Sequence, residues 1–184
     1  PAGLQCPQGT HAWLARRPVA DHVHIRPALE RDMARLARIQ SRTAVGLVLA
    51  GGGARGFAHL GVYRALRERG VEIDCVGGTS IGSVMAAYVA SDQPLTTVMD
   101  NAREAFRTNP TGDWSLLPLM SLIKGRRLRH ILHDAVGQLV GFPAQVEDLW
   151  KNYYCVATNY SRASEQVVRR GSLVKSLLAS ISIP

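Results

Sequence analysis

A chain of 184 residues with 46% hydrophobic content holds enough apolar mass to bury one core. Its formal net charge is +8, yet 19 of its 22 basic residues are arginines scattered along the chain with no interleaved aromatic platform and no zinc-finger or helix-turn-helix pattern, which argues against nucleic acid as a partner. No apolar run approaches the roughly 18 residues that a membrane-spanning helix needs, and the first residues lack the charged and apolar regions of a signal peptide.

In chain order, residues 1–43 are rich in arginine, have no long apolar period and read as a linker, with the domain proper starting at about Ala44 and running to Pro184. Residues 44–50 (Ala-Val-Gly-Leu-Val-Leu-Ala) are an unbroken apolar run ending in glycines. That pattern predicts a central parallel strand covered on both faces. The loop Gly51-Gly52-Gly53-Ala54-Arg55-Gly56 follows. A helix then begins near Ala54, with Ala58, Gly61, Val62, Ala65 and Leu66 on one side and Arg64, Arg67 and Glu68 on the other. Gly70 suits the left-handed residue that ends such a helix, and Arg67 and Arg69 suit its negative end.

A second short apolar run, residues 73–76, and a helix-like segment, residues 83–90, flank the box Gly78-Thr79-Ser80-Ile81-Gly82. A G-x-S-x-G box between a strand and a helix is the setting of a nucleophile elbow, where a strained turn lifts a serine Oγ clear of the sheet. Glycines flank it because side chains there would collide with the neighbouring strand or helix. Ser80 is therefore the first residue with a chemical role.

Two chemistries want the loop at 51–56. It satisfies G-x-G-x-x-G, and Asp74 falls 18 residues after Gly56, near the place of a ribose-binding acid in a dinucleotide fold. The second strand, however, runs on through Cys75-Val76-Gly77 into the serine elbow. Acyl transfer needs both an activated hydroxyl and N–H donors for an oxyanion, whereas hydride transfer has no use for an exposed serine there. The sequence favours the oxyanion hole.

Farther along, Leu95, Val98, Met99, Ala102 and Phe106 mark one core-facing side of a helix, for which Asp92 is the expected N-cap near Pro94. Residues 114–123, Trp-Ser-Leu-Leu-Pro-Leu-Met-Ser-Leu-Ile, precede Lys124-Gly125-Arg126-Arg127-Leu128-Arg129 and suit a membrane-facing flap. The helical spacing of Leu128, Ile131, Leu132, Ala135, Val136 and Leu139 suits instead an ordinary helix on the sheet.

The pairs His22/His24 and His130/His133 have no evident third ligand, and Cys6, Cys75 and Cys155 lack C-x-x-C spacing, so neither a metal site nor a disulfide framework is expected. Cys75 reads as a small buried residue. His59 is expected to tie its helix to the sheet, and Arg55 to steady the loop or favour a phosphate headgroup.

The glycine loop with Phe57-Ala58-His59, the segment Val76-Gly77 through Gly82, and the end Ala179-Ser180-Ile181-Ser182-Ile183-Pro184 together resemble the patatin-like phospholipases. Within that family the chain resembles the branch that includes neuropathy target esterase and its bacterial relatives. His22-Val23-His24-Ile25-Arg26, with residues 32–38, is similar to the linker that precedes the domain in that branch. The resemblance implies a three-layer α/β/α hydrolase with a mostly parallel central sheet, here incomplete at the C-terminus. It implies Ser80 as nucleophile, residues Gly51, Gly52, Gly53, Ala54, Arg55 and Gly56 as oxyanion hole, and Gly78, Thr79, Ile81 and Gly82 as the elbow. Phospholipid or lysophospholipid is the implied substrate, with no metal or organic cofactor. A basic surface suits peripheral contact with anionic lipid, at the inner membrane face or from the cytoplasm.

The family uses a Ser-Asp dyad, its aspartate in an Asp-Gly-Gly or Asp-Gly-Ala box. Here the aspartates are 21, 32, 74, 92, 100, 113, 134 and 148, and none precedes a glycine. The expectation is that the base lies beyond Pro184 and that this segment alone is inactive. The readings that remain beside it are a nucleotide-binding regulatory module on the same loop and a catalytically silent lipid-binding domain.

Overall fold

The structure is a computed structural model and describes residues 6–17, 19–107 and 126–182. The flap expected at residues 114–123 lies outside the described residues. The elements are α1 (Thr10–Leu14), α2 (Glu30–Gln40), β1 (Gly46–Leu49), α3 (Phe57–Glu68), β2 (Cys75–Thr79), α4 (Ile81–Ala90), α5 (Leu95–Ala105), α6 (Arg126–Val140), β3 (Asn152–Asn159), β4 (Ser164–Val168) and α7 (Leu173–Ile181). A 3-10 turn, Gly53–Gly56, leads into α3, and another, Val146–Asp148, precedes β3.

The four strands form one sheet in the order β1-β2-β3-β4. β1 runs parallel to β2 with Gly46 opposite Cys75 and Leu49 opposite Gly78, and β2 runs parallel to β3 with Thr79 opposite Val156. β4 returns antiparallel, pairing Cys155 with Val168. This is an α/β fold with a mostly parallel sheet, as the alternation of apolar runs and helical periods predicts.

Helix α4 is the centre of the core. All ten of its residues are buried, and it packs on β1, β2 and β3 while α3, α5 and α7 pack on it. A helix apolar on every side is stable only where every side is covered. α7 lies on the same face of the sheet as α4: the Cys155 thiol points at Ser176 O and the Tyr153 hydroxyl donates to Ser83 O at 3.0 Å. The expected faces of α5 and α6 are inward, with Val98, Ala102, Ile131, Leu132, Ala135, Val136 and Leu139 buried.

β1 departs from expectation. The seven-residue apolar run yields a strand of four residues at the edge of the sheet, and only Leu49 of the strand is buried. Side chains alternate across a strand, so α4 covers Leu49 while Val48 faces the other way and is 70% exposed. The run's continuous hydrophobicity signals two apolar faces, and among the described residues one of them is open. Cys75, on that same side, is half-buried, and its thiol is raised by burial.

The Arg-rich segment before Ala44 carries α1 and α2 and is fastened to the domain by charge. Asp92, expected to cap α5, leaves that position to Pro94 and instead takes Arg26, Arg31 (2.8 Å) and Lys151 (3.0 Å). Arg26 also binds Asp32 at 2.6 Å and stacks on Trp150 at 4.3 Å, and Arg38 binds Asp74 at 2.6 Å. His22 and His24 lie outside any regular element, and both ring Nε2 atoms donate to Glu147 O, at 3.1 and 2.8 Å. His24 is held below its ordinary range by burial, which the carbonyl only partly offsets.

The Asp92 and Lys151 side chains are 3% and 4% exposed. Burial opposes the ionisation of Asp92, but Lys151, Arg26 and Arg31 outweigh it and hold the carboxyl below its ordinary 3.8. Burial likewise acts against the charge of Lys151 and pulls its ammonium down despite Asp92. Asp32 and Asp74 are also held low: burial works against each, and Arg26 for Asp32 and Arg38 for Asp74 overcome it. Carboxyls depressed in the fold stabilise it above their ordinary range and lose that contribution as pH falls through the native values. Stability should therefore decline below about pH 3.8. Removing one partner of a buried pair costs about 3–5 kcal/mol. Asp92→Asn should lower the urea unfolding free energy at pH 7 by about 3 kcal/mol and flatten its acid dependence.

Candidate active site

β2 ends at Thr79 and α4 begins at Ile81, so a single residue, Ser80, makes the whole turn from strand to helix. Its backbone stands at φ 52, ψ −131. A non-glycine residue held at positive φ costs on the order of 1–3 kcal/mol and persists only when its surroundings over-determine it. Here both sides of the residue are held. Its N–H donates to Ser180 Oγ at 2.9 Å, and its carbonyl accepts from the Ser83 N–H at 2.9 Å and the Ser83 hydroxyl at 2.6 Å.

Close approach of α4 to the sheet explains the box glycines. A Cβ on Gly82 would lie 2.2 Å from Leu49 O, and one on Gly78 would lie 2.5 Å from Gly82 C. Neither contact can relax, because both are with backbone. The turn is thus sterically reserved: glycine before, glycine after, and a strained serine between. Thr79 is exposed beside it, and Ile81 is buried in the first turn of α4.

The glycine loop lies next to the serine. A Cβ on Gly51 would sit 3.3 Å from Ser80 Cβ and 3.8 Å from Thr79 O. Among the described residues the N–H groups of Gly51 and Gly52 find no hydrogen-bond partner. Gly53, Ala54, Arg55 and Gly56 form the 3-10 turn that follows, with Arg55 exposed. The helix expected from Ala54 therefore starts three residues later, at Phe57. His59 ties α3 to the end of β1 by donating from Nε2 to Ala50 O at 2.9 Å. Free N–H groups and the positive end of α4 meet at the carboxyl ends of parallel strands, where open α/β sheets hold ligands.

Asp74 sits at the other end. Its N–H donates to Val45 O and its carboxylate accepts from Val45 N–H and Arg38, so it lies at the start of β2, across the sheet from the glycine loop. That leaves the dinucleotide reading of the loop without its acid. Asp21, Asp32, Asp92 and Asp148 are likewise engaged away from the elbow, Asp100 and Asp134 are exposed on α5 and α6, and Asp113 lies outside the described residues. Among the described residues no carboxylate or imidazole hydrogen-bonds Ser80 Oγ, and no group of three His, Cys, Asp or Glu side chains is placed to hold a metal ion. His130 and His133 are exposed on α6. Sequence reasoning missed the roles of Ser83, Tyr153 and Ser180 at the elbow. Only Ser180 had a signal, as part of the motif at the end of the chain.

Residues 47–184 match the family model for patatin-like phospholipase. The chain belongs to this family. It is similar to neuropathy target esterase sws from Drosophila sechellia and Drosophila ananassae, each 33% identical over 207 residues, and from Drosophila melanogaster, 32% identical. Each match covers 96% of this chain, which spans only 13–14% of the length of those relatives. The patatin-like family is one of lipid ester hydrolases, and the residues matched contain both the glycine loop and the serine elbow. Among the described residues no helix is long and apolar enough to cross a membrane.

A contrast between two glycines tests the geometry. Gly82→Ala should lower stability by about 1–3 kcal/mol or more, the range for overpacking, and displace Ser80. Gly61→Ala, on the exposed side of α3 with nothing within 4 Å of the added carbon, should raise it by about 0.5–1 kcal/mol. Thermal unfolding of the two variants measures both signs.

Proposed function

We propose that Ser80 is the nucleophile of a lipid acyl hydrolase acting on phospholipid or lysophospholipid. The observation that carries this reading is the strained, doubly held Ser80 beside a loop with free N–H groups. Ser80 Oγ attacks the ester carbonyl and gives its proton to a base. N–H groups of the Gly51–Ala54 loop receive the oxyanion, each such donor being worth on the order of 10²–10³ in kcat. The leaving alcohol takes the proton, and water, activated by the same base, releases the fatty acid from the acylated serine.

The base we assign is an aspartate beyond Pro184. The placement of the described aspartates supports this, since each is engaged or exposed elsewhere. Base assistance is typically worth about 10²–10⁴-fold, so residues 1–184 alone should be inactive. We further propose peripheral contact with anionic lipid through the arginine-rich surface.

A fluorophosphonate probe, which needs an activated serine, tests the assignment. The full-length protein should be labelled on the peptide containing Ser80, as located by mass spectrometry, and residues 1–184 should be labelled at least about 10²-fold more slowly. Rapid labelling of residues 1–184 contradicts the downstream base. Tight nucleotide binding by a full-length protein that resists the probe favours a regulatory module instead.

A further inference from the structure

Ser180 bridges two backbone groups that belong to different elements. Its oxygen accepts the Ser80 N–H at 2.9 Å, across 100 residues of sequence, and its proton goes to Val156 O at 2.6 Å. Val156 lies opposite Thr79 in the parallel register. One hydroxyl in the last turn of α7 therefore joins the elbow to β3. With its single proton committed to Val156, Ser180 has none to give to Ser80 Oγ.

The dihedral φ measures rotation about N–Cα and ψ rotation about Cα–C, so holding a residue's N–H and its C=O in place fixes both. Ser83 holds the carbonyl of Ser80 and Ser180 holds the N–H. Without Ser180 the Thr79–Ser80 peptide is free to turn, φ relaxes from its strained value, and the Ser80 side chain, whose Cβ lies against Gly51, moves. Alanine can supply neither half of the bridge, whereas threonine supplies both, because a hydroxyl is at once donor and acceptor.

We propose that Ser180 is a positioning residue for the reaction, acting through the backbone of Ser80; the proposal rests on the reading of Ser80 as nucleophile. A displacement of about 1 Å at a reacting atom costs on the order of 10²-fold in rate.

The test compares the full-length wild type, Ser180→Ala, Ser180→Thr and Ser80→Ala for kcat and KM on lysophosphatidylcholine, fluorophosphonate labelling rate and thermal midpoint. Ser180→Ala should lose about 10- to 100-fold in kcat and in labelling rate with KM within about twofold. Ser180→Thr should recover most of that loss. An alanine variant with wild-type kcat and labelling overturns the proposal, as does a folded threonine variant as slow as alanine. If the alanine variant fails to fold, Ser180→Cys, with longer and weaker hydrogen bonds, should label more slowly than wild type, and wild-type labelling of it overturns the proposal. A wild type that neither hydrolyses nor labels overturns the hydrolase reading and this proposal together. An active wild type with an unchanged alanine variant removes only the role of Ser180.

Discussion

Helix α4 meets the sheet at a distance that only glycine permits, and the rest of the site follows from that approach. Because Gly82 rides against the carbonyl of Leu49 and Gly78 against Gly82, the chain cannot widen the turn between β2 and α4. One residue must reverse direction alone, and it does so at a backbone angle that costs on the order of 1–3 kcal/mol. Core packing offsets part of that cost, since ten consecutive buried residues fix α4 from all sides, and the hydrogen bonds to the Ser80 N–H and carbonyl hold the peptide itself at the strained angle. The same approach brings the end of β1, and with it Gly51, alongside the serine. Strain at Ser80 and proximity of the glycine loop both follow from that approach.

The opposite end of the sheet is organised by charge rather than by packing. Asp74 and Asp92 draw in Arg38, Arg26, Arg31 and Lys151, and through them the segment that precedes the domain. Buried ion pairs add little net stability but are costly to break, because the remaining charge has nowhere to go. They therefore specify where α2 sits more than they hold the core together. The two ends differ in kind, with the glycine loop and the Ser80 turn at one and anchoring charges at the other.

What the sequence disclosed and what it concealed follow the same division. The strand-turn-helix around Ser80 and the inward faces of α5 and α6 were legible because apolar periodicity and glycine spacing are local signals. The attachment of residues before Ala44 was not legible, because it rests on arginine-aspartate pairs up to 66 residues apart, such as Arg26 with Asp92, which leave no period. Asp92, two residues before Pro94, has the composition of a helix cap, and three distant cations outbid that local role. Apolar content along residues 44–50 could not tell a central strand from an edge strand, since neighbours in a sheet are set by topology. The bridge from Ser180 to Ser80 spans 100 residues and could emerge only from the folded chain.

The central claim is that Ser80 performs acyl transfer on a lipid ester. The most direct measurement is fatty acid release from a lysophospholipid by the full-length protein and by its Ser80→Ala variant, with both shown to be folded. The account predicts release by the wild type and a loss of at least about 10³-fold in the variant, as expected for removal of a covalent nucleophile. Equal release by the two proteins, or none by either, would contradict it.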